Sequence, residues 1–100
     1  MTVSVLHIDD CSNWVEAGER LTDALAALGR SDVVGFVLIE DAATAERTGF
    51  AGSPTLVADG VDLFPEGAPT SALACRVYRT PTGLAGLPTT EQIANALAQR

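Results

Sequence analysis

Apolar positions along the chain follow two rhythms. Residues 2–8 alternate, with Val3, Val5 and His7 on one face and Ser4, Leu6 and Ile8 on the other. Both faces are largely apolar, which predicts a central strand covered on both sides. Asp9 and Asp10 end it. From residue 12 to residue 28, Trp14, Ala17, Leu21, Ala24, Leu25 and Leu28 recur at helical spacing, and Gly29 supplies the stop. Residues 33–39 form a β-branched apolar run, hence a second strand. A short helix follows from residue 41 or 42 to residue 48, closed by Gly49. Residues 55–57 read as a third strand, Ala58-Asp59-Gly60-Val61 as a tight hairpin turn, and residues 61–63 as a fourth strand.

Beyond Phe64 the rhythm is lost. Pro65, Gly67, Pro69, Pro81, Gly83, Gly86 and Pro88 punctuate an irregular insertion at about residues 64–88. Within it, residues 72–78 are apolar enough for a short extra element. Thr89 and Gln92 then frame a capping box that opens a last helix, ending near residue 99. The expected order is β-α-β-α-β-β-α in one α/β domain over residues 1–100, with a parallel pair from the βαβ unit and an antiparallel hairpin. The length suffices for one real core.

Charge narrows the partners. The net charge is −7, with six arginines and no lysine. Neither nucleic acid nor an anionic membrane surface is an expected partner, because nothing here neutralises phosphate. No apolar run reaches the length of a membrane span, and the opening residues lack the basic and apolar regions of a signal peptide. A cytoplasmic location is the resulting expectation.

The candidate chemistry is thiol chemistry. Two cysteines in a small cytosolic chain are more often reactive or metal-binding than structural. Cys11 falls between the first strand and the first helix, where the helix dipole and free N–H groups favour thiolate. Asp9 and Asp10 oppose that effect. The other reading of Cys11 is a small buried hydrophobe. Its neighbours are Ser12, Asn13 and Trp14, so the second cysteine of a Cys-x-x-Cys pair is missing. Trp14 also reads as a core residue at the first inward turn of its helix.

Cys75 lies in Leu73-Ala74-Cys75-Arg76-Val77-Tyr78, where Arg76 and Arg79 are expected to favour its thiolate; otherwise it is a structural apolar position. Should the insertion fold back over Cys11, the two sulfurs can form a disulfide or hold one soft metal ion. A disulfide needs Cα atoms within roughly 7 Å. His7 is the sole histidine: either a packed strand residue or a base for Cys11. One histidine and two cysteines fall short of a tetrahedral zinc set, and no cofactor is expected.

Gly52-Ser53-Pro54-Thr55 runs straight into the third strand. Together with Cys11-Ser12-Asn13-Trp14, the Cys75 segment and Thr80-Pro81-Thr82-Gly83-Leu84, it resembles a family of small bacterial thioredoxin-like proteins, often labelled alkylmercury-lyase-like. The resemblance covers nearly the whole chain. It implies a thioredoxin-like fold with a cis Ser53–Pro54 bond packed against the Cys11 sulfur. It further implies that the backbone groups before the proline are free to pair with an extended substrate. Ser53, Pro54 and Thr55, with Trp14, are then the candidate substrate-contacting residues. Organomercurial lyases use two cysteines and an aspartate; Cys11 and Cys75 resemble the pair, but Trp14 stands where the aspartate is expected, leaving only Asp9 or Asp10 to substitute.

Two function classes follow. In the first, Cys11 is the reactive thiolate, Pro54 shapes the pocket and Cys75 is the resolving or second-ligand thiol of a redox or soft-metal-binding protein, acting on a small thiol, a soft metal or a protein. In the second, the fold is a non-catalytic interaction module whose contact surface is the insertion, anchored by Phe64 and Leu84. A lyase-like activity is a further alternative.

Overall fold

A computed structural model describes residues 1–65 and 73–100. Its elements are β1 (Val3–His7), α1 (Asn13–Ala27), β2 (Val34–Leu38), α2 (Ala42–Thr48), β3 (Thr55–Ala58), β4 (Val61–Asp62), β5 (Tyr78–Thr80), β6 (Gly83–Ala85) and α3 (Thr90–Ala98). The first four strands form one mixed sheet in the order β2-β1-β3-β4. β1 pairs parallel with β2, from Val3 opposite Val34 to His7 opposite Leu38, and antiparallel with β3. β3 pairs antiparallel with β4.

Alternation along β1 divides the core between the two sides of the sheet. Val3 and Val5 pack with Leu21 and Leu25 of α1, Leu56 of β3, and Ile93 and Leu97 of α3. On the opposite side, Leu6 and Ile8 pack with Cys11, Ile39, Ala45 of α2, Phe50 and Val57. Helices α1 and α3 therefore cover one face and α2 the other. Each fully buried large side chain, such as Phe50, Leu21 or Ile93, contributes about 1.5–3 kcal/mol by leaving water.

Local signals end the elements where the sequence places them. After α1, Gly29 has φ +72°; Arg30 N–H donates to Leu25 O (2.9 Å) and Gly29 N–H to Ala26 O (3.0 Å), a Schellman closure. Asp41 Oδ1 accepts from Thr44 N–H at the start of α2 (2.7 Å). At α3, Thr89 Oγ1 accepts from Gln92 N–H (3.1 Å) and Gln92 Oε1 from Thr89 N–H (2.8 Å), completing the capping box. Asp59 and Gly60 both have positive φ in the β3–β4 turn, as a two-residue primed turn requires.

The described residues of the insertion, 64, 65 and 73–88, hold more regular structure than its prolines suggest. Phe64 and Leu87 are buried in the α1-side core, and β5 and β6 make a separate antiparallel hairpin with Tyr78 opposite Ala85. Pro81 and Thr82 form its turn, braced by Thr80 Oγ1 donating to Gly83 O (2.6 Å). The expected apolar element at residues 72–78 resolves into a bridge at Cys75 and the start of β5 at Tyr78; Ala72 lies outside the described residues. Among the described residues, no helix is long and apolar enough to cross a membrane.

Candidate thiol site

β1 delivers the chain through Asp9 and Asp10 to Cys11, the residue before the α1 N-cap Ser12. Cys11 is 4% exposed and packs among Leu6, Ile8, Ile39, Ala45 and Phe50. Its thiol donates to Ser53 O (3.6 Å). The Ser53–Pro54 peptide is cis, and Ser53 Oγ accepts from Ile8 N–H (3.1 Å), tying the loop to the end of β1. Thr55 closes the same loop: its hydroxyl donates to Gly52 O and accepts from Ala51 N–H.

The backbone of Ser53 is not free. Its N–H donates to Ala74 O (2.8 Å) and its carbonyl accepts from Arg76 N–H (2.8 Å), a parallel bridge centred on Cys75. Residues 73–77 thus run along the loop as a strap, occupying the groups that the family resemblance leaves open for an extended substrate. Ser53, Pro54 and Thr55 are all buried, and the Pro54 carbonyl accepts from the Tyr78 hydroxyl. These three residues build the site from beneath and offer no side-chain surface to a substrate.

The strap brings the sulfurs together. Cys75 is exposed. Interaction with the Cys11 thiol pushes the Cys75 pKa up from its ordinary value, and slight burial, the Cys11 charge and Asp10 push the same way. The arginines do not counter this, contrary to the sequence expectation. Successive side chains on an extended segment point to opposite sides, so Arg76 turns inward when Cys75 turns out. Its guanidinium donates to Asp62 Oδ2 (2.8 Å) and Phe64 O (2.7 Å), and lies 4.5 Å from the Tyr78 ring centroid. Arg76 is 7% exposed: it anchors the strap and does not activate a thiol.

Gly52 makes this close approach feasible. Its φ is +107°, and a Cβ there would lie 2.8 Å from Arg76 Cβ and 3.1 Å from Arg76 Cα. Sequence reasoning identified the Gly-Ser-Pro-Thr turn but assigned Arg76 to the Cys75 thiol, and missed Asp62 and Tyr78. The available signal was a lone charge inside the apolar run of residues 73–78.

Other sequence candidates lie elsewhere. His7 is on the α1 side of β1, opposite Cys11, so it is not placed to act as its base. Its ring stacks on Trp14 (centroids 4.2 Å apart, 15° between planes), and Nδ1 is buried without a hydrogen-bond partner among the described residues. Trp14 packs edge-on against Phe36 (5.6 Å). Phe64 is buried against Tyr78, so it is a core residue and not a surface anchor, whereas Leu84 is exposed.

A cleft of about 290 Å³ is bordered by Ile8, Asp9, Asp10, Leu38, Glu40 and Leu73, with Asp10 next to Cys11 in the chain and Leu73 two residues from Cys75. Three carboxylates give it negative charge. No group of three or more His, Cys, Asp or Glu side chains among the described residues is arranged to hold a metal ion. Thus the fold and site define a small mixed-sheet α/β protein with two facing thiols. The chain matches no protein-family model, and searches of curated proteins and solved structures gave no match.

Proposed function

We propose that this is a thioredoxin-like protein whose working unit is the Cys11–Cys75 dithiol, cycling between thiol and disulfide. The observation that carries the proposal is the shared anchor at Ser53: its backbone bridges to exposed Cys75, and its carbonyl accepts from the buried Cys11 thiol (3.6 Å). The thioredoxin-like reading is supported by the β2-β1-β3-β4 order, the cis-proline before β3 and the cysteine between β1 and α1.

Exposure assigns the roles in this scheme, and reverses those expected from sequence. Cys75, as thiolate, attacks one sulfur of a small disulfide; the substrate's S–S bond breaks and one thiolate leaves. Cys11, as thiolate, then attacks the Cys75 sulfur of the mixed disulfide and expels the second substrate thiolate. The protein ends oxidised, with a Cys11–Cys75 bond, and the substrate is reduced to two thiols. The raised Cys75 pKa makes the first attack slow at neutral pH and faster as pH rises.

Oxidised glutathione added to the reduced protein tests this, read by intact mass. Wild type should close to an internal disulfide, Cys11→Ser should stall as a glutathione adduct on Cys75, and Cys75→Ser should remain unmodified. A wild-type protein that keeps the adduct, or never reacts, would leave the partner-binding module as the better account.

A soft-metal reading is favoured by one observation, the acidic cleft bordered by Asp10 and Leu73. Carboxylates draw in a cation, and two thiolates suffice for a soft ion that accepts two-coordinate geometry. A one-to-one complex with mercuric ion that disappears in either Cys→Ser variant is the expected result. Cleavage of an organomercurial by the wild type would extend this to lyase activity.

A further inference from the structure

The far side of the sheet carries a second candidate site, independent of the thiols. A groove of about 550 Å³ opens between α1 and β2, lined by Trp14, Val15, Gly18, Glu19, Asp23 and Phe36. That volume lies within the range of small-molecule sites. Its floor is apolar and aromatic: the Trp14 and Phe36 rings meet at 71° with centroids 5.6 Å apart. The stack of His7 on Trp14 fixes the indole plane. Gly18 lets the Phe36 ring lie against the helix, since a Cβ there would come 2.5 Å from Phe36 Cζ.

The rim is anionic and uncompensated. Glu19 and Asp23 stand one helical turn apart, and neither has an ion-pair partner among the described residues. The nearby cation of α1, Arg20, is turned away from the groove. Its guanidinium pairs with Glu16 and donates to Pro88 O (2.7 Å). Phe36 is 49% and Val15 50% exposed, leaving a substantial apolar surface next to two free carboxylates.

We propose that this groove binds a small organic cation of the alkylated-ammonium class. An ammonium bearing methyl groups is attracted to aromatic faces through the ring quadrupole. Its methyl groups match the apolar floor, and its charge is complemented by Glu19 and Asp23. A neutral apolar ligand would gain nothing from the carboxylates, and an anion would be repelled by them.

Trp14 is the only tryptophan, so intrinsic fluorescence reports directly on the groove. Choline is the probe, and its uncharged isostere, with carbon in place of nitrogen, is the control. Choline should shift Trp14 emission with a saturable curve that weakens at high salt. The isostere should bind at least about tenfold more weakly, and a Glu19→Gln, Asp23→Asn double variant should lose affinity by about the same factor. Phe36→Leu keeps apolar volume but removes a ring, and should weaken choline while leaving the circular dichroism spectrum unchanged. Equal binding of the isostere, or unchanged affinity in the double variant, would reduce the groove to a plain apolar patch and overturn the proposal. A concentration-dependent dimer in sedimentation that blocks choline would assign the face to a second copy and overturn it equally.

Discussion

The two faces of the central sheet are built by different means. Below Leu6 and Ile8, Cys11, Ser53 and the strap are held by directional bonds: Ser53 uses its N–H, carbonyl and hydroxyl, and Arg76 satisfies Asp62 and the Phe64 carbonyl. On the other face, at the end of β1, His7, Trp14 and Phe36 are held by ring packing, and His7 Nδ1 has no partner among the described residues. Directional networks fix one geometry and penalise the loss of any member, whereas ring stacks tolerate exchange for shapes of similar volume. The thiol face should therefore be brittle and the aromatic face forgiving.

The largest effect is expected at Arg76. Arg76→Met leaves Asp62 beside a buried site without its cation, and should destabilise the fold by about 3–5 kcal/mol in chemical denaturation. The strap should also loosen, so closure of the Cys11–Cys75 disulfide should slow. A loss under about 1 kcal/mol, the scale of an exposed ion pair, would show that the pair is not effectively buried.

Gly52→Ala comes next, at about 1–3 kcal/mol, since it combines a positive φ with a new Cβ against the strap backbone. If the thiols still close at the wild-type rate, the strap does not depend on that close approach.

On the forgiving face, His7→Phe keeps an aromatic ring on Trp14 and removes the unpartnered nitrogen. Stability should rise by about 1 kcal/mol, with thiol exchange unchanged because the side chain lies across the sheet from Cys11. Destabilisation would reveal a partner for Nδ1 and erase the contrast between the faces.

The smallest effect is electrostatic. Cys75 is held above the ordinary thiol value of 9.0 chiefly by the Cys11 thiol, with Asp10 a lesser contributor. The pH midpoint of Cys75 alkylation should therefore fall in Cys11→Ala and fall less in Asp10→Asn. The linkage has a definite sign. A raised native pKa favours the folded protein below the unfolded value, and that contribution is lost as pH rises from 9.0 through the native midpoint. Thermal stability should thus decline above that pH in wild type and decline less in Cys11→Ala.

Much of the fold was legible because its determinants are local. Gly29 and Gly49 stop helices through positive φ, Thr89 and Gln92 cap within four residues, and Asp59-Gly60 turns the hairpin within two. Periodicity likewise marked β1 as covered on both sides. The insertion was misread because Pro81, which signals irregularity, is also a turn residue of the β5–β6 hairpin, and Gly83 opens β6 directly after that turn.

The site was legible only in its parts. Cys11, Cys75 and the Gly-Ser-Pro-Thr turn were evident, but not that Ser53 spends its backbone on Cys75's neighbours. Sequence by itself determined the elements outside the insertion, their ends, and the alternation that sets Cys75 opposite Arg76. Tertiary structure alone decided which of that pair turns inward. An inward guanidinium needs acceptors, and Asp62 and the Phe64 carbonyl lie on a distant stretch of chain that meets Arg76 only when the sheet has formed. The same long-range pairing placed His7 across the sheet from the thiols and left Glu19 and Asp23 uncompensated above two aromatic rings.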